Sequence, residues 1–351
     1  MIDLNSTRIL ITGASGSLGT QLAHELIQKD IRPICGVRES SRTDILDRMG
    51  LEKRTGDLRN RQELAALVRD IDLVVHTAAL VDFRKDRLTN FTGINVMGAV
   101  DLYRAARNAG VKRFVHVSSI AAVGARKRDE RSKVVGQAGW ILSSNGRIDE
   151  SWEFNLQDIH VPYIMTKHAA EVELRKEAAD GGPELVIVNP SIILAPSFLG
   201  DDRHKVLETF SRWFLPGFSN MVNLVDVRDV AGGIVGAMER GRTGERYLLT
   251  GDNISARDLV LSVSAILRKA PQVIEAPRWL VNTAARIASG WTTTFGKSRV
   301  SFYPDLVKLM DYDWMYTSAR ARHELGYSPR SLLTILEELL SDEFADSYAK
   351  V

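Results

Sequence analysis

Two side chains able to handle a proton stand four residues apart in "VPYIMTKHAAE": Tyr163 and Lys167. The segment reads as a helix, and residues four apart on a helix share a face. A free tyrosine titrates near pH ~10. A neighbouring ammonium favours the phenolate and lowers that value, so the pair could exchange a proton close to neutral pH. The spacing alone decides nothing, because the chain holds eight tyrosines and a pattern this short recurs by chance. The decision rests with the elements that would hold the pair in place.

Those elements alternate. "RILIT" (Arg8–Thr12), "PICGV" (Pro33–Val37), "DLVVHTAA" (Asp72–Ala79), "RFVHVSS" (Arg113–Ser119) and "ELVIVNPSIIL" (Glu184–Leu194) read as strands, apolar and β-branched enough to be buried on both faces. Helical patterns lie between them, among them "RQELAALVRD" and "NVMGAVDLYRAARNAG", the latter ending on a glycine stop at Gly110. Such alternation implies an α/β fold with a parallel sheet covered by helices on both faces. Beyond about residue 190 the regularity loosens into "LVDVRDVAGGIVGAMERG", the short strand "RYLLTG", "ISARDLVLSVSAILRK" with Ser255 as its expected N-cap, "SARARHELGY" and "SLLTILEELLSDEFA".

Directly after the first strand stands "TGASGSLG", with glycine at every third position: Gly13, Gly16 and Gly19, and Ser15, Ser17 and Leu18 between them. Glycine is needed where the turn is tight, where backbone approaches a diphosphate, and where the helix packs on the strand. The helix start then offers unpaired N–H groups to phosphate oxygens. A dinucleotide site is expected here. At the end of the second strand an acid would favour NAD; this chain has Arg38 in "GVRESSR", with Arg42 four residues on. A guanidinium suits the extra phosphate of NADP, so NADP(H) is preferred and NAD(H) stays possible, since Glu39 follows directly. Asp57, in "GDL" after the third short strand, could accept a hydrogen bond from the adenine amino group.

Composition narrows the class. The 351 residues are 44% hydrophobic and carry a net charge of +2, enough for a large core and too balanced for a nucleic-acid or anionic-membrane surface. Cys35 is the one cysteine, so an internal disulfide is impossible and a reducing, cytoplasmic setting fits. "MIDLNSTRILITGASG" lacks the layout of a secretory leader. No apolar run reaches the length of a membrane span; "WLVNTAARIASGW" (Trp279–Trp291) comes nearest and reads as an amphipathic helix. The charged run "RKRDERSK" (Arg126–Lys133) reads as a solvated loop. The scattered histidines form no metal pattern.

These pieces together resemble the extended short-chain dehydrogenase/reductase family. The resemblance rests on the glycine turn, "GDL", "HTAA" (His76–Ala79), "NVMGA" (Asn95–Ala99), "VSSIAAVG" (Val117–Gly124), "YIMTK", "VNPSIIL", "VDVRDVA" (Val225–Ala231) and "ELGYSP" (Glu324–Pro329), in that order along most of the chain. "GVRESS" and "VDFRKD" (Val81–Asp86) are most similar to the branch of 3β-hydroxysteroid dehydrogenases and dihydroflavonol reductases. The resemblance implies a Rossmann-type doubly wound parallel sheet over 1–195, carrying the cofactor and the catalytic residues. A smaller α/β substrate lobe would occupy 196–351, with segments crossing between the two. It also implies a homodimer through helices near 90–109 and 161–179.

The same resemblance assigns roles. Tyr163 is the proton donor to a carbonyl receiving hydride, or the base in the oxidative direction, and Lys167 its partner and a ligand of the nicotinamide ribose. Ser119 would hydrogen-bond the substrate oxygen, with Ser118 in its place if the register slips by one. Leu58, Thr77, Ala78 and Ala79 join the cofactor site, and Pro190, Ile192 and Ile193 pack on the nicotinamide. Asn95 and His76 read as structural residues. The insertion between Ser119 and Tyr163, with Trp140 and "DESWEFN", and the segment Phe198–Phe218 would wall a bulky apolar small-molecule substrate. The expected activity is NADP(H)-dependent oxidoreduction of a secondary alcohol or ketone. The alternatives are a nucleotide-sugar epimerase, which normally keeps its cofactor bound, and a non-catalytic NAD(P)-binding regulatory protein.

Overall fold

The computed structural model describes residues 1–81, 91–128, 146–195, 214–217, 220–268, 272–275 and 305–340. The first half runs β1 (Ile9–Thr12), α1 (Ser17–Ile27), β2 (Ile34–Val37), α2 (Asp44–Arg48), β3 (Lys53–Thr55), α3 (Arg61–Leu67) and β4 (Leu73–His76). A π-helical turn at Thr92–Met97 leads into α4 (Gly98–Asn108), followed by β5 (Arg113–Val117), β6 (Arg126–Lys127), α5 (Pro162–Ala179) and β7 (Glu184–Pro190). The second half holds β8 (Ile192–Leu194), β9 (Phe214–Gly217), β10 (Met221–Asp226), α6 (Val227–Arg240), β11 (Arg246–Leu249), β12 (Asp252–Ser255) and α7 (Ala256–Ile266). After β13 (Gln272–Glu275) come α8 (Asp305–Lys308), β14 (Tyr312–Asp313), α9 (Ala319–Leu325) and α10 (Leu332–Leu340).

Seven strands form one parallel sheet in the order β11-β7-β5-β4-β1-β2-β3. Alternate side chains explain why both faces need helices. Ile9, Ile11, Leu73, Val75, Val115 and Val117 pack with α1 and α6 through Leu22, Leu26, Val230 and Ile234. Leu10, Val74, Phe114, Leu185 and Ile187 point the other way, onto Leu64, Leu102, Tyr103 and Leu174. Each fully buried leucine or isoleucine contributes roughly 2 kcal/mol, which is why these strands carry unbroken apolar runs.

Two segments depart from the expected elements. "ELVIVNPSIIL" is two strands: β7 stays in the main sheet, whereas β8 pairs with β10 in a second sheet of order β12-β10-β8. The break falls beside Pro190, which has no N–H for a ladder. That second sheet rests on α7 and α10 through Leu194, Leu224, Val263, Ile335 and Leu336. "RYLLTG" supplies β11, which pairs with β7 as the edge of the main sheet, so that sheet takes its edge strand from beyond residue 195. The sequence before α5 covers that edge: Leu248 N–H donates to Glu150 at 3.0 Å, and Arg246 donates to the carbonyls of Glu150 and Trp152. Part of the insertion expected to wall the substrate is therefore a sheet-edge cover.

Ser255 caps α7 by accepting from the Asp258 N–H, and Gly110 closes α4 with φ +76°. No described helix is long and apolar enough to cross a membrane. Trp140, Trp279–Trp291, Asp82–Asp86 and Asp129–Lys133 lie outside the described residues, as does Phe198–Phe218 apart from β9.

The sharpest backbone constraint is at Gly13. Its φ is +72°, and a Cβ there would lie 2.7 Å from the Ala78 backbone. Gly13→Ala is expected to cost roughly 2–4 kcal/mol, from left-handed backbone strain and overlap together. Urea unfolding measures this; a variant as stable as the parent would mean that the two segments separate freely.

Candidate active site

The strand order reverses between β1 and β4, which opens a crevice at the carboxyl ends of both strands. In-register pairing of Thr12 with Gly36 and with His76 brings three turns to this crevice. The first is the glycine turn. Gly13 N–H donates to Gly36 at 3.2 Å, and Gly16 N–H to Gly13 at 3.0 Å. A side chain at Gly19 would collide with the Gly13 carbonyl. Helix α1 starts at Ser17 behind Gly16, without a side-chain cap, and Ser15, Gly16 and Ser17 are exposed at its mouth beside half-buried Leu18. A cradle that has no room for a Cβ, opening on a helix start, fits the diphosphate of a dinucleotide.

The second turn follows β2. Arg38 is exposed there, its N–H held by Ser41, with Arg42 exposed nearby. Across from it, Asp57 is gripped by Arg59 through two side-chain hydrogen bonds of 3.0 and 2.6 Å. That bond and, less strongly, the charge of Arg38 hold its carboxyl down at about 2. An adenine amino group reaching Asp57 would share the carboxylate with Arg59. Leu58 is half-buried beside it. The third turn is Thr77–Ala79, where the strand expected to run through Ala79 stops at His76. Thr77 is tied to the Thr12 carbonyl by both its N–H and its hydroxyl. The segment is then pinned by Asn95, which accepts from the Leu80 N–H at 2.7 Å and donates to the Leu80 carbonyl at 3.1 Å. Asn95 also donates to Thr166 on α5, so it locks the cofactor turn to the helix that carries the tyrosine.

Ser119 follows β5 and caps a short 3-10 turn, accepting from the Ala121 N–H. Tyr163, in the first turn of α5, lies beside the Ser119 side chain, near enough for that hydroxyl to favour its phenolate. Ser118 is buried and its hydroxyl has no partner, so the register favours Ser119. Lys167 lies one turn further along α5, buried, and donates to the Val117 carbonyl at 2.9 Å. Pro190 ends β7, and Ile192 and Ile193 continue from it, exposed and half-buried. The structure thus gathers Ser119, Tyr163 and Lys167 behind the crevice.

The electrostatics reverse one expectation. Burial pushes the Tyr163 phenol above its ordinary value, and the Ser119 hydroxyl beside it works against that rise. No lowering from Lys167 accompanies it, because Lys167 has given up its proton before a phenol raised above its ordinary value ionises. Burial brings Lys167 itself down to about 8, opposed by the charge of Glu171. Burial, followed by the Lys167 charge, drives His76 down to about 3 and His116 in the same direction, so both stacked rings are neutral. His76 accepts or donates at Thr12 over 2.7 Å and is structural, as read from the sequence.

Several neighbours were missed. Tyr163 packs on the same buried cluster, with Leu156 and Ile159, as Phe154, Leu309, Tyr312 and Trp314, so described apolar groups near it come from Leu309, Tyr312 and Trp314 and not only from the insertion. Asn189 and Glu171 form a buried hydrogen-bonded pair behind Ser119; the four-residue step from Lys167 to Glu171 shows a shared helix face and nothing of the asparagine. Among the described residues no cluster of three metal-ligating side chains is present.

The folded protein holds a buried cation at Lys167 below about pH 8. Above that pH the folded chain releases a proton that the unfolded chain keeps up to the ordinary lysine value of about 10.5, so this cost fades as pH rises. Lys167→Met is expected to gain roughly 2 kcal/mol at pH 7, after the loss of the Val117 hydrogen bond, and to lose most of that gain by pH ~9.5. Urea unfolding of both proteins at the two pH values tests this, and a difference that does not change with pH would overturn it.

The model of the NAD dependent epimerase/dehydratase family matches residues 9–250. The putative dihydroflavonol 4-reductase of Synechocystis sp. is 30% identical over 335 residues, 93% of this chain and 92% of its own length. Sterol demethylase protein B of Methylococcus capsulatus is 28% identical over 335 residues, 92% of this chain and 94% of its own length. The crystal structure of gox2253 is similar with a TM-score of 0.79 and 25% identity, over 99% of this chain and 100% of that one. A match that spans the whole crevice and its catalytic helix places this chain in the NAD dependent epimerase/dehydratase family, the extended short-chain dehydrogenases/reductases, as an NAD(P)-dependent enzyme acting on CH–OH or C=O groups.

Proposed function

We propose that this enzyme transfers hydride between NADP(H) and a secondary alcohol or ketone on a bulky apolar substrate. The observation that carries the reading is the placement of Tyr163 beside Ser119 behind the crevice, with Lys167 buried one turn further along the helix. The glycine cradle, Thr77–Ala79, Asp57, Leu58 and the Pro190–Ile193 segment would hold the dinucleotide, and Lys167 its nicotinamide ribose. When bound, NADPH supplies the hydride. Tyr163, kept protonated by burial, donates to the oxygen that becomes an alkoxide, and Ser119 orients that oxygen.

The apolar side of the reading rests on Phe154, Tyr312 and Trp314, which pack on the same buried cluster as the tyrosine. The names of the two relatives, a dihydroflavonol reductase and a sterol demethylase protein, both point to polycyclic skeletons. Arg38, exposed at the end of β2, supports NADP over NAD. Met97, Met165 and Val172, exposed on and beside α4 and α5, suit a homodimer through those helices. The lone buried thiol, Cys35, suits a reducing cytoplasm. The division near residue 195 into cofactor and substrate lobes belongs to the same reading. Nucleotide-sugar epimerisation is the second reading, favoured by the family's own description; it would show as dinucleotide that stays bound through purification.

Tyr163→Phe is expected to abolish NADPH consumption in a screen of sterols, aromatic ketones and nucleotide sugars while leaving NADPH affinity within about twofold; a fully active variant refutes the assignment. Arg38→Ala should weaken NADPH about 10–100-fold and leave NADH unchanged, as expected for loss of a charged hydrogen bond. Fluorescence titration decides, and tighter NADH binding by the parent would defeat the NADP reading.

A further inference from the structure

Behind Ser119 stands a chain of three side chains from three elements, two of them buried and the third half-buried. Asn189 of β7, fully buried, donates from one amide nitrogen to the Ser119 carbonyl at 2.9 Å and to the Glu171 carboxylate at 2.6 Å. Glu171 of α5 is itself 4% exposed. Arg246 of β11 stands 3.8 Å from its other oxygen and is otherwise tied to the Glu150 and Trp152 carbonyls. Glu171 is four residues beyond Lys167, on the same face of the helix. A carboxylate taken out of water is costly, and the Asn189 hydrogen bond alone would be met as well by a neutral glutamine. Its charge therefore asks for a reason, and the buried ammonium of Lys167 is one.

We propose that Glu171 is a positioning residue for the reaction: its charge keeps the Lys167 ammonium protonated in a site that disfavours cations, and through Asn189 it holds the Ser119 turn against α5. The groups that face Lys167 fit this arrangement. On α5 they are Tyr163 and Glu171. From β4 and β5 they are His76 and His116, both neutral and unable to balance a cation. Arg246 faces Glu171 from β11 and divides its field. Arg104 and Arg107 of α4 are engaged with Glu177 near the far end of α5. Among these, Glu171 is the one group whose charge favours the ammonium, and it opposes the burial of Lys167.

The inference rests on Lys167 touching the cofactor, so cofactor binding reads it out. NADPH is titrated by fluorescence between pH 7 and 10 against the parent, Glu171→Gln, Lys167→Gln and Arg246→Met. The parent should lose affinity as pH rises through about 8, and Lys167→Gln should show no such step. Glu171→Gln keeps the Asn189 hydrogen bond and should move the midpoint down by about one pH unit, and Arg246→Met should move it up. A purely structural role would lower stability without moving the midpoint. An unmoved midpoint in Glu171→Gln overturns this inference alone. If that variant does not fold, an unmoved or lowered midpoint in Arg246→Met overturns it. A parent without the step, or a Lys167→Gln that keeps it, overturns the reading of Lys167 as a cofactor ligand and this inference with it.

Discussion

Parallel pairing of β1 with β4 sets Thr12 beside His76 and presses Gly13 against the Ala78 backbone, closer than any side chain would permit. The strand order reverses at this seam, so the helices that follow β1 and β4 leave on opposite faces and a crevice remains between the turns. The glycine turn, Arg38 and Thr77–Ala79 follow the carboxyl ends of β1, β2 and β4, at or beside this seam, while Asp57 and Leu58 follow β3 and Pro190 ends β7, each two strands away from the seam's own pair. Asn95 then transmits the position of the seam to α5, and so to Tyr163, through the hydrogen bonds to Leu80 and Thr166.

The site is also where the core carries its polar load. Lys167, Glu171, Asn189, His76 and His116 are all buried toward the carboxyl end of the sheet. Ser118, Ser191 and Thr250 add buried hydroxyls without partners at the ends of β5, β7 and β11. Burying such groups opposes folding, and concentration of that cost at one end of the sheet is the pattern of a functional site. The apolar clusters on both faces of the strands offset it. The stack of His76 on His116 shows the same trade, since two imidazoles in a dry interior are held neutral.

The glycine turn, the Tyr–Lys step, the Asn95 segment and the alternation of strands and helices were legible because each is local. A tight turn needs glycine wherever it occurs, a four-residue step shares a helix face in any helix, and a strand buried on both faces declares itself by an unbroken apolar run. Ser119 over Ser118 was nearly legible; the alternation along β5 puts consecutive residues on opposite faces, and the place beside Tyr163 selects between them. Glu171 stood in the quoted segment and passed unread, because nothing in a helix face says which of its residues meets an asparagine from another strand.

The sequence by itself determined that this chain makes a parallel α/β sheet with a phosphate cradle after its first strand and a tyrosine–lysine helix beside its fifth, since those follow from short-range sterics and hydrophobic periodicity. Only the tertiary structure decided that Glu184–Leu194 divides between two sheets, that Arg246–Leu249 forms the edge of the main one, and that Leu309, Tyr312 and Trp314 pack on the same cluster as Tyr163. It also decided the protonation of the pair: Tyr163 rises where proximity to Lys167 had implied a fall, and Lys167 falls. Strand partners and desolvation depend on residues far apart in the chain that only the completed core brings together.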